Sequence, residues 1–363
     1  MKNTFGQSVA VTLFGESHGN SIGAVLDGIA PGIPVDIEFI KSRLSLRRPS
    51  GNISTPRVEA DEFQILSGVY EGKTTGTPIC ITIPNTNTKG KHYDKTEYLA
   101  RPGHADYSAY MKYHGFEDWH GGGHFSGRVT AALVVVGAIA QTALINKGIN
   151  IGTHIKCIGG IYDRDFEDIN RDITALKDKQ FAVLDDSVSA EMTEKINAAR
   201  CELNSVGGIL ETAVTGMPAG VGEPWFDSVE SRLSHALFSI PAVKGVQFGA
   251  GFGFADMFGS DANDEYYSEG GTVKTRTNNN GGIIGGITNG SPIIFSCVVK
   301  PTPSIARAQK TVNYKTGENA EIKIEGRHDP CIVHRARAVV DAACALTLCD
   351  ILSMRFGTDW LGA

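Results

Sequence analysis

The chain has no C-x-x-C pair, and its seven cysteines, Cys80, Cys157, Cys201, Cys297, Cys331, Cys344 and Cys349, are odd in number. Both facts argue against a disulfide framework and a zinc ribbon, so a reducing, cytoplasmic setting is expected, with no metal site. Positive charge is not in excess. Lys and Arg number 34 against 40 Asp and Glu, a net charge of −6, which makes general nucleic-acid binding a poor expectation. Residues 1–7 carry no apolar core, so a signal peptide is not expected. The longest nearly apolar stretch, residues 129–145, is interrupted by Thr130, Gln141 and Thr142 and falls short of the ~20 residues of a membrane span. Internal repeats and proline- or serine-rich linkers are also missing, which favours one large α+β domain over residues 1–363. What is abundant is glycine, 43 of 363 residues, about 12% against an ordinary ~7%. Without a collagen period, that excess means tight turns and close approach of backbone to ligand.

Residues 8–40 alternate short β-rich runs with glycine and proline turns and then enter a polar, helix-like stretch at 36–45. Residues 46–63 read as an irregular basic loop, and 64–70 as a strand. Residues 78–83 alternate Ile79, Ile81 and Ile83 as a half-buried strand does. Residues 85–92 are almost wholly polar and read as a mobile surface loop. A helix over 126–147 is predicted, with Ser126 as N-cap and Gly148 just past its end; it is apolar nearly all round and therefore buried. Two more helices are predicted at 187–203 and 333–356, and antiparallel strands between 207 and 299.

Four glycine-containing turns concentrate groups able to do chemistry. Phe14-Gly-Glu-Ser-His-Gly19 sets His18 directly after a strand, as a turn residue or a catalyst. In Arg101-Pro-Gly-His-Ala-Asp-Tyr107, Pro102 and Gly103 force a turn that holds His104 between Arg101 and Asp106, either a titrating trio or a surface ion cluster. His120-Gly-Gly-Gly-His-Phe-Ser-Gly-Arg128 opens the apolar helix, where free N–H groups and the helix dipole suit an anion that Arg128 can clamp. Neither a Walker A loop nor G-x-G-x-x-G is present there. Gly326-Arg-His-Asp-Pro330 precedes the last helix, and Pro330 biases Asp329 toward an extended conformation. Lys300-Pro-Thr-Pro-Ser304 offers a cation and two hydroxyls suited to a phosphate. Arg43, Arg47, Arg48, Arg57, Arg101, Arg128 and Arg327 would, if several converge, bind a small polyanion.

In this order and at these distances the motifs resemble the chorismate synthase family. The matching runs are FGESHG (14–19), Gly28-Ile-Ala-Pro-Gly-Ile33, RRP (47–49), LSGVYEGKTTGTPI (66–79) and RPGHADY (101–107). They continue through SVGGILE (205–211), SIPAVKGVQFGAGF (239–252), NNNGGIIGGI (278–287), KPTPSI (300–305) and GRHDPC (326–331). The resemblance implies a βαβ sandwich, two antiparallel sheets packed with helices, in a homotetramer. It implies anti-1,4-elimination of phosphate from 5-enolpyruvylshikimate 3-phosphate, giving chorismate, with reduced FMN required but no net redox change. Under it, His18 gives a proton toward the departing phosphate, His104 protonates reduced flavin, and Asp329 works at flavin N5 in removing the C6 proton. Arg47, Arg48, Arg57, Arg101 and Arg128 match positions around the substrate's phosphate and carboxylates. His124, Phe125, Ser126, Ala242, Gly285, Lys300, Pro301, Thr302, Pro303, Ser304 and Arg327 match positions around the flavin.

One departure bears on the flavin loop. Many family members carry RGGGRSSARE where this chain has His120 and His124 in place of two arginines. Anion affinity there should weaken as pH rises through the imidazole range. Some relatives reduce their own flavin with NADPH; no reductase-like segment is visible here, so an external flavin reductase is expected. Two other readings of the motifs are a flavin or nicotinamide oxidoreductase, which would consume reductant in proportion to product, and a glycine-rich assembly protein, which would release no phosphate.

Overall fold

The computed structural model describes residues 2–49, 51–54, 60–86, 97–324 and 328–362. Arg57, Arg327 and most of the polar stretch 85–92 lie outside the described residues. Two five-stranded antiparallel sheets organise the chain. The first sets Thr4–Phe5, Ala10–Gly15, Ser21–Asp27, Ile79–Pro84 and Gln64–Ile65 side by side in that order. The second orders Val243–Phe248, Ile293–Val299, Gly208–Thr215, Asn150–Ile158 and Ile161–Tyr162. Alternation sets the register of the first sheet: Ile79, Ile81 and Ile83 are fully buried while Cys80 and Thr82 between them are half-buried.

The helices Thr130–Asn146 and Val333–Phe356 pack on each other, and each touches strands of both sheets. A β-carbon at Gly137 would lie 2.3 Å from that of Ala342, so the two backbones meet at a distance only glycine permits. The apolar character on all sides of Thr130–Asn146 follows from this position, since every face has a protein neighbour. Counted with its lead-in, Gly127–Asn146 is 20 residues long and does meet the length and composition of a membrane span, but most of it is buried inside the protein. The helix opens later than its apolar run. Ser126 caps a short 3₁₀ turn, Gly127–Val129, by accepting from the Arg128 N–H, and Gly148 follows the last turn at φ +74°.

Elsewhere the local reading misses. The segment 64–70 is two short strands, Gln64–Ile65 in the first sheet and Val69–Tyr70 in a hairpin with Lys73–Thr74. The start of the expected irregular loop belongs to the helix Ile37–Arg47, which Asp36 caps by accepting from Glu38 and Phe39. Within 207–299 a helix, Val229–Ser239, interrupts the strands. Asn85 is not a surface-loop residue: its amide donates to the Glu16 and Gly19 carbonyls at 2.9 and 2.8 Å.

The strand Asn150–Ile158 carries His154 into the interior, with Nδ1 at 2.9 Å from Asp163 and Nε2 at 2.9 Å from Glu211. Asp163 also accepts the N–H groups of Leu184 and Asp185, so the imidazole ties two chain segments to the sheet. Burial alone would push this imidazolium down, yet the Asp163 and Glu211 hydrogen bonds outweigh it and hold the pKa above its ordinary value. A raised folded-state pKa means the charged form favours the fold. Its contribution is complete below the unfolded histidine range and is lost as pH climbs through the folded value. Urea unfolding of the wild type should therefore weaken between pH 6 and pH 9 by more than that of His154→Leu; equal slopes in the two proteins would remove the imidazolium from this role.

Candidate active site

The turn after Ala10–Gly15 carries Ser17 and His18. The Ser17 N–H donates to the Gly123 carbonyl at 3.1 Å, its Oγ lies 3.0 Å from His18 Nδ1, and the same hydroxyl donates to the His120 carbonyl at 3.2 Å. Opposite lies the triple glycine, where φ values of +61°, +90° and +51° at Gly121, Gly122 and Gly123 fold the chain against this turn. The fit is close: a β-carbon on Gly121 would come within 2.2 Å of His18 Cε1. His124 Nδ1 donates to the Gly15 carbonyl at 2.8 Å, and His120 Nδ1 meets Asp118 at 2.7 Å while its ring stacks on Trp119. Both histidines that replace arginines are thereby held by protein partners. Phe125 is half exposed beside Tyr113.

Arg128 does not project as a clamp at the helix start. Its guanidinium is buried against Asp61, Asn85 and the Pro84 carbonyl. Arg47 meets the same Asp61 carboxylate at 3.4 Å and reaches Thr130 Oγ1 at 2.9 Å and the Gly127 carbonyl at 2.8 Å. Two of the expected anion-binding arginines thus converge, around an internal carboxylate absent from the sequence reading. Arg48 donates to the Ala60 carbonyl on the adjoining segment. Asp329 pairs with Arg335, whose Nε donates to the Arg47 carbonyl at 2.9 Å. An unbroken set of contacts therefore leads from the His18 turn to Asp329.

His104 stands in a second cluster that joins the first. Arg101 and Asp106 form a two-pronged pair at 2.8 and 2.7 Å, and the Arg101 N–H adds a third bond at 3.0 Å. Lys300 Nζ donates to the Gly103 carbonyl at 2.7 Å, and Pro303 packs on Gly103. The Lys300 N–H in turn donates to the carbonyl of Ala242, a residue at φ +76°. Ser205 donates to the Thr302 carbonyl at 2.7 Å, and the Val206 N–H to the Pro330 carbonyl at 2.9 Å. One short segment thereby ties the Lys300–Ser304 loop to the residue after Asp329. Gly285 lies in an exposed turn between Ile283–Ile284 and Ile287–Thr288, whose next residue, Gly286, packs against Glu223 and Ser228.

Burial is the largest influence on His104, followed by the Arg101 charge; together they lower its pKa to about 4 against the pull of Asp106. The ring is therefore neutral at neutral pH. Its Nδ1 faces the Pro102 carbonyl at 3.2 Å and must carry the proton, since a carbonyl only accepts, which leaves the lone pair on Nε2. Local sequence contains no sign of Asp61, Asn85 or Arg335 as site residues, because each meets its partner only through the fold, whereas Ser205 opens the run SVGGILE. Ser17, next to His18 in FGESHG, is flagged by position in the same way.

Comparison with known proteins identifies the family. The sequence model of the family described as chorismate synthase matches residues 9–353. A chorismate synthase of Aeropyrum pernix is 42% identical over 98% of this chain and 93% of its own length. One of Methanosarcina mazei is 45% identical over 96% of this chain and 95% of its own, and one of Dehalococcoides mccartyi 42% over 98% of each. A solved structure titled "Crystal Structure of Chorismate Synthase" superposes with a TM-score of 0.78 at 30% identity, covering 98% of this chain and 94% of that one. With fold, motif order and nearly the whole length in agreement, the chain belongs to the chorismate synthase family, carbon–oxygen lyases of aromatic amino-acid biosynthesis.

Proposed function

We propose that this chain performs anti-1,4-elimination of phosphate from 5-enolpyruvylshikimate 3-phosphate, giving chorismate, with reduced FMN bound beside the Lys300–Ser304 loop. The observation that carries the reading is the continuous contact path uniting the turns of His18, His104 and Asp329 with that loop and the triple glycine. Residues there suit a flavin. Thr302 Oγ1 is buried with no hydrogen-bond partner among the described residues, Phe125 offers a half-exposed ring, and Gly122, with open space where a β-carbon would stand, leaves room for a planar group. His124, Phe125, Ser126, Ala242 and the 300–304 loop, with Arg327, would hold it. Reduced FMN supplies, when bound, an electron that is returned within the turnover, so none is consumed.

The chain's own residues hold and move protons. His18, fixed between Ser17 and Gly121, gives a proton toward the departing phosphate. Asp329, oriented by Arg335, takes the proton lost from C6. His104 begins neutral with its lone pair on Nε2, so it must first accept a proton; an anionic ligand near Arg101 and Lys300 would offset their charges, raise the imidazole pKa and so let it take up the proton that it then donates. Arg47 and Arg128 exchange Asp61 for substrate oxygens. We read the two sheets with helices between them as the family's βαβ sandwich, one domain over residues 1–363. We also propose a cytoplasmic homotetramer served by an external flavin reductase; the exposed Trp225, Phe226, Phe252 and Phe258 and the five buried thiols support assembly and a reducing setting.

An anaerobic assay with the enolpyruvyl substrate and dithionite-reduced FMN should release phosphate and form chorismate in equal amounts, with the flavin still reduced at the end. Absence of phosphate, or oxidation of one reductant per product, would defeat the proposal.

A further inference from the structure

Ser304 Oγ lies 2.9 Å from Nδ1 of His328, and Nε2 of the same ring lies 3.0 Å from the Ile324 carbonyl. A carbonyl oxygen only accepts, so Nε2 carries the ring proton. In the neutral imidazole Nδ1 is then a bare lone pair, and the hydrogen of this contact must come from Ser304. The serine hydroxyl is left with lone pairs alone to offer a third party. Thr302, two residues earlier, is the reverse case: its hydroxyl is buried, has no partner among the described residues and keeps its hydrogen free. One loop therefore presents a donor at Thr302 and an acceptor at Ser304. The two hydroxyls, alike in the sequence and both suited there to phosphate, are not alike in the fold.

We propose that His328 is a positioning residue that fixes Ser304 as a hydrogen-bond acceptor, so that the flavin group meeting Ser304 is an N–H or O–H donor and not a phosphate oxygen. This rests on the flavin reading of the site and deepens it. A phosphate oxygen at Ser304 would set lone pair against lone pair. The ring N3–H and the ribityl hydroxyls are donors, and both are present in riboflavin, which has no phosphate at all.

That difference supplies the test. FMN and riboflavin are titrated separately at pH 8 into the full chain, by quenching of flavin fluorescence, using wild type, Ser304→Ala, His328→Phe and the double variant. Each single substitution should weaken both flavins by the same factor, roughly three- to tenfold, the range for one net hydrogen bond. The double variant should bind no more weakly than Ser304→Ala, because His328 acts only through the serine. A loss confined to FMN would mean that Ser304 meets the phosphate, and additive losses would make His328 merely structural; either result overturns the proposal, as would unchanged affinity in all variants. Wild-type chain that binds neither flavin would bring down the flavin reading itself, and the proposal with it. Should His328→Phe fail to fold, nitrogen-15 correlation spectra of the wild type decide: the Nε2–H tautomer at His328 is expected, and the Nδ1–H tautomer overturns the assignment.

Discussion

His104→Ala should lower the rate of phosphate release by roughly two to four orders of magnitude, the usual worth of a general acid–base group, or about 3–5 kcal/mol of barrier at 1.36 kcal/mol per decade. The fold should hardly notice. The Arg101–Asp106 pair and the Lys300 contact to Gly103 fix the loop without the imidazole, so the turn survives its loss. A pH series separates this role from a structural one. Burial and then Arg101 depress the folded-state pKa to about 4, below an ordinary value of 6.5, so the neutral ring favours the fold. That contribution is complete above about 6.5 and vanishes as pH falls through about 4. Wild type should consequently lose on the order of 2–3 kcal/mol more stability than His104→Ala over that interval. Asp329→Asn should impair turnover comparably, since it removes the carboxylate and loosens its pairing with Arg335. Near-normal phosphate release in both variants would strike them from the chemistry, whatever the stability data.

The parts of the fold that a reader of the sequence recovers are those decided by local periodicity. Ile79, Ile81 and Ile83 announce a strand because alternate side chains of a strand share a face. The apolar run before Gly148 announces a core helix because Thr130, Gln141 and Thr142 are too few to make a polar face. The helix Val229–Ser239 was concealed by its setting among β-branched segments, although Val229, Leu233, Ala236 and Leu237 are spaced as one helical face and Ser228 caps its first turn. The site divides in the same way. His18, His104 and Asp329 sit in turns that glycine and proline mark. Their partners are another matter: Asp61 meets Arg128 across 67 positions, and Arg335 meets the Arg47 carbonyl across 288. No spacing rule reaches that far, and a guanidinium looks the same in sequence whether it awaits a ligand or already holds a carboxylate. The cluster of arginines is legible, and so is Asp106, five residues from Arg101; Asp61, the internal counter-ion of Arg128, is set by the packing of distant segments.

Asp350→Ala should produce the largest loss of stability among single polar substitutions in the chain, on the order of 3–5 kcal/mol, the cost of stranding one member of a buried pair. The Asp350 carboxylate is fully buried in the last helix, and Oδ1 accepts the N–H groups of Gln7, Ser8 and Val9 at 3.0, 2.7 and 2.9 Å. Oδ2 pairs with Arg232, itself buried beneath the Phe5 ring. Deleting the carboxylate leaves three amides without their acceptor, that of Val9 fully buried, and leaves Arg232 only its 3.4 Å contact with Asp227. Asp350→Asn keeps an acceptor for the amides but not the charge for Arg232, and should fall between. The consequence for chemistry is separable. Residues 7–9 only lead into Ala10–Gly15, which keeps its own ladder to Ser21–Asp27 and still delivers His18 to Gly121. Activity per folded molecule should stay within a few-fold of wild type at low temperature, while the thermal midpoint falls by on the order of 10 °C. If turnover collapses in step with the melting point while the chain is still folded, the N-terminal tether is part of the active site and the separation drawn here fails.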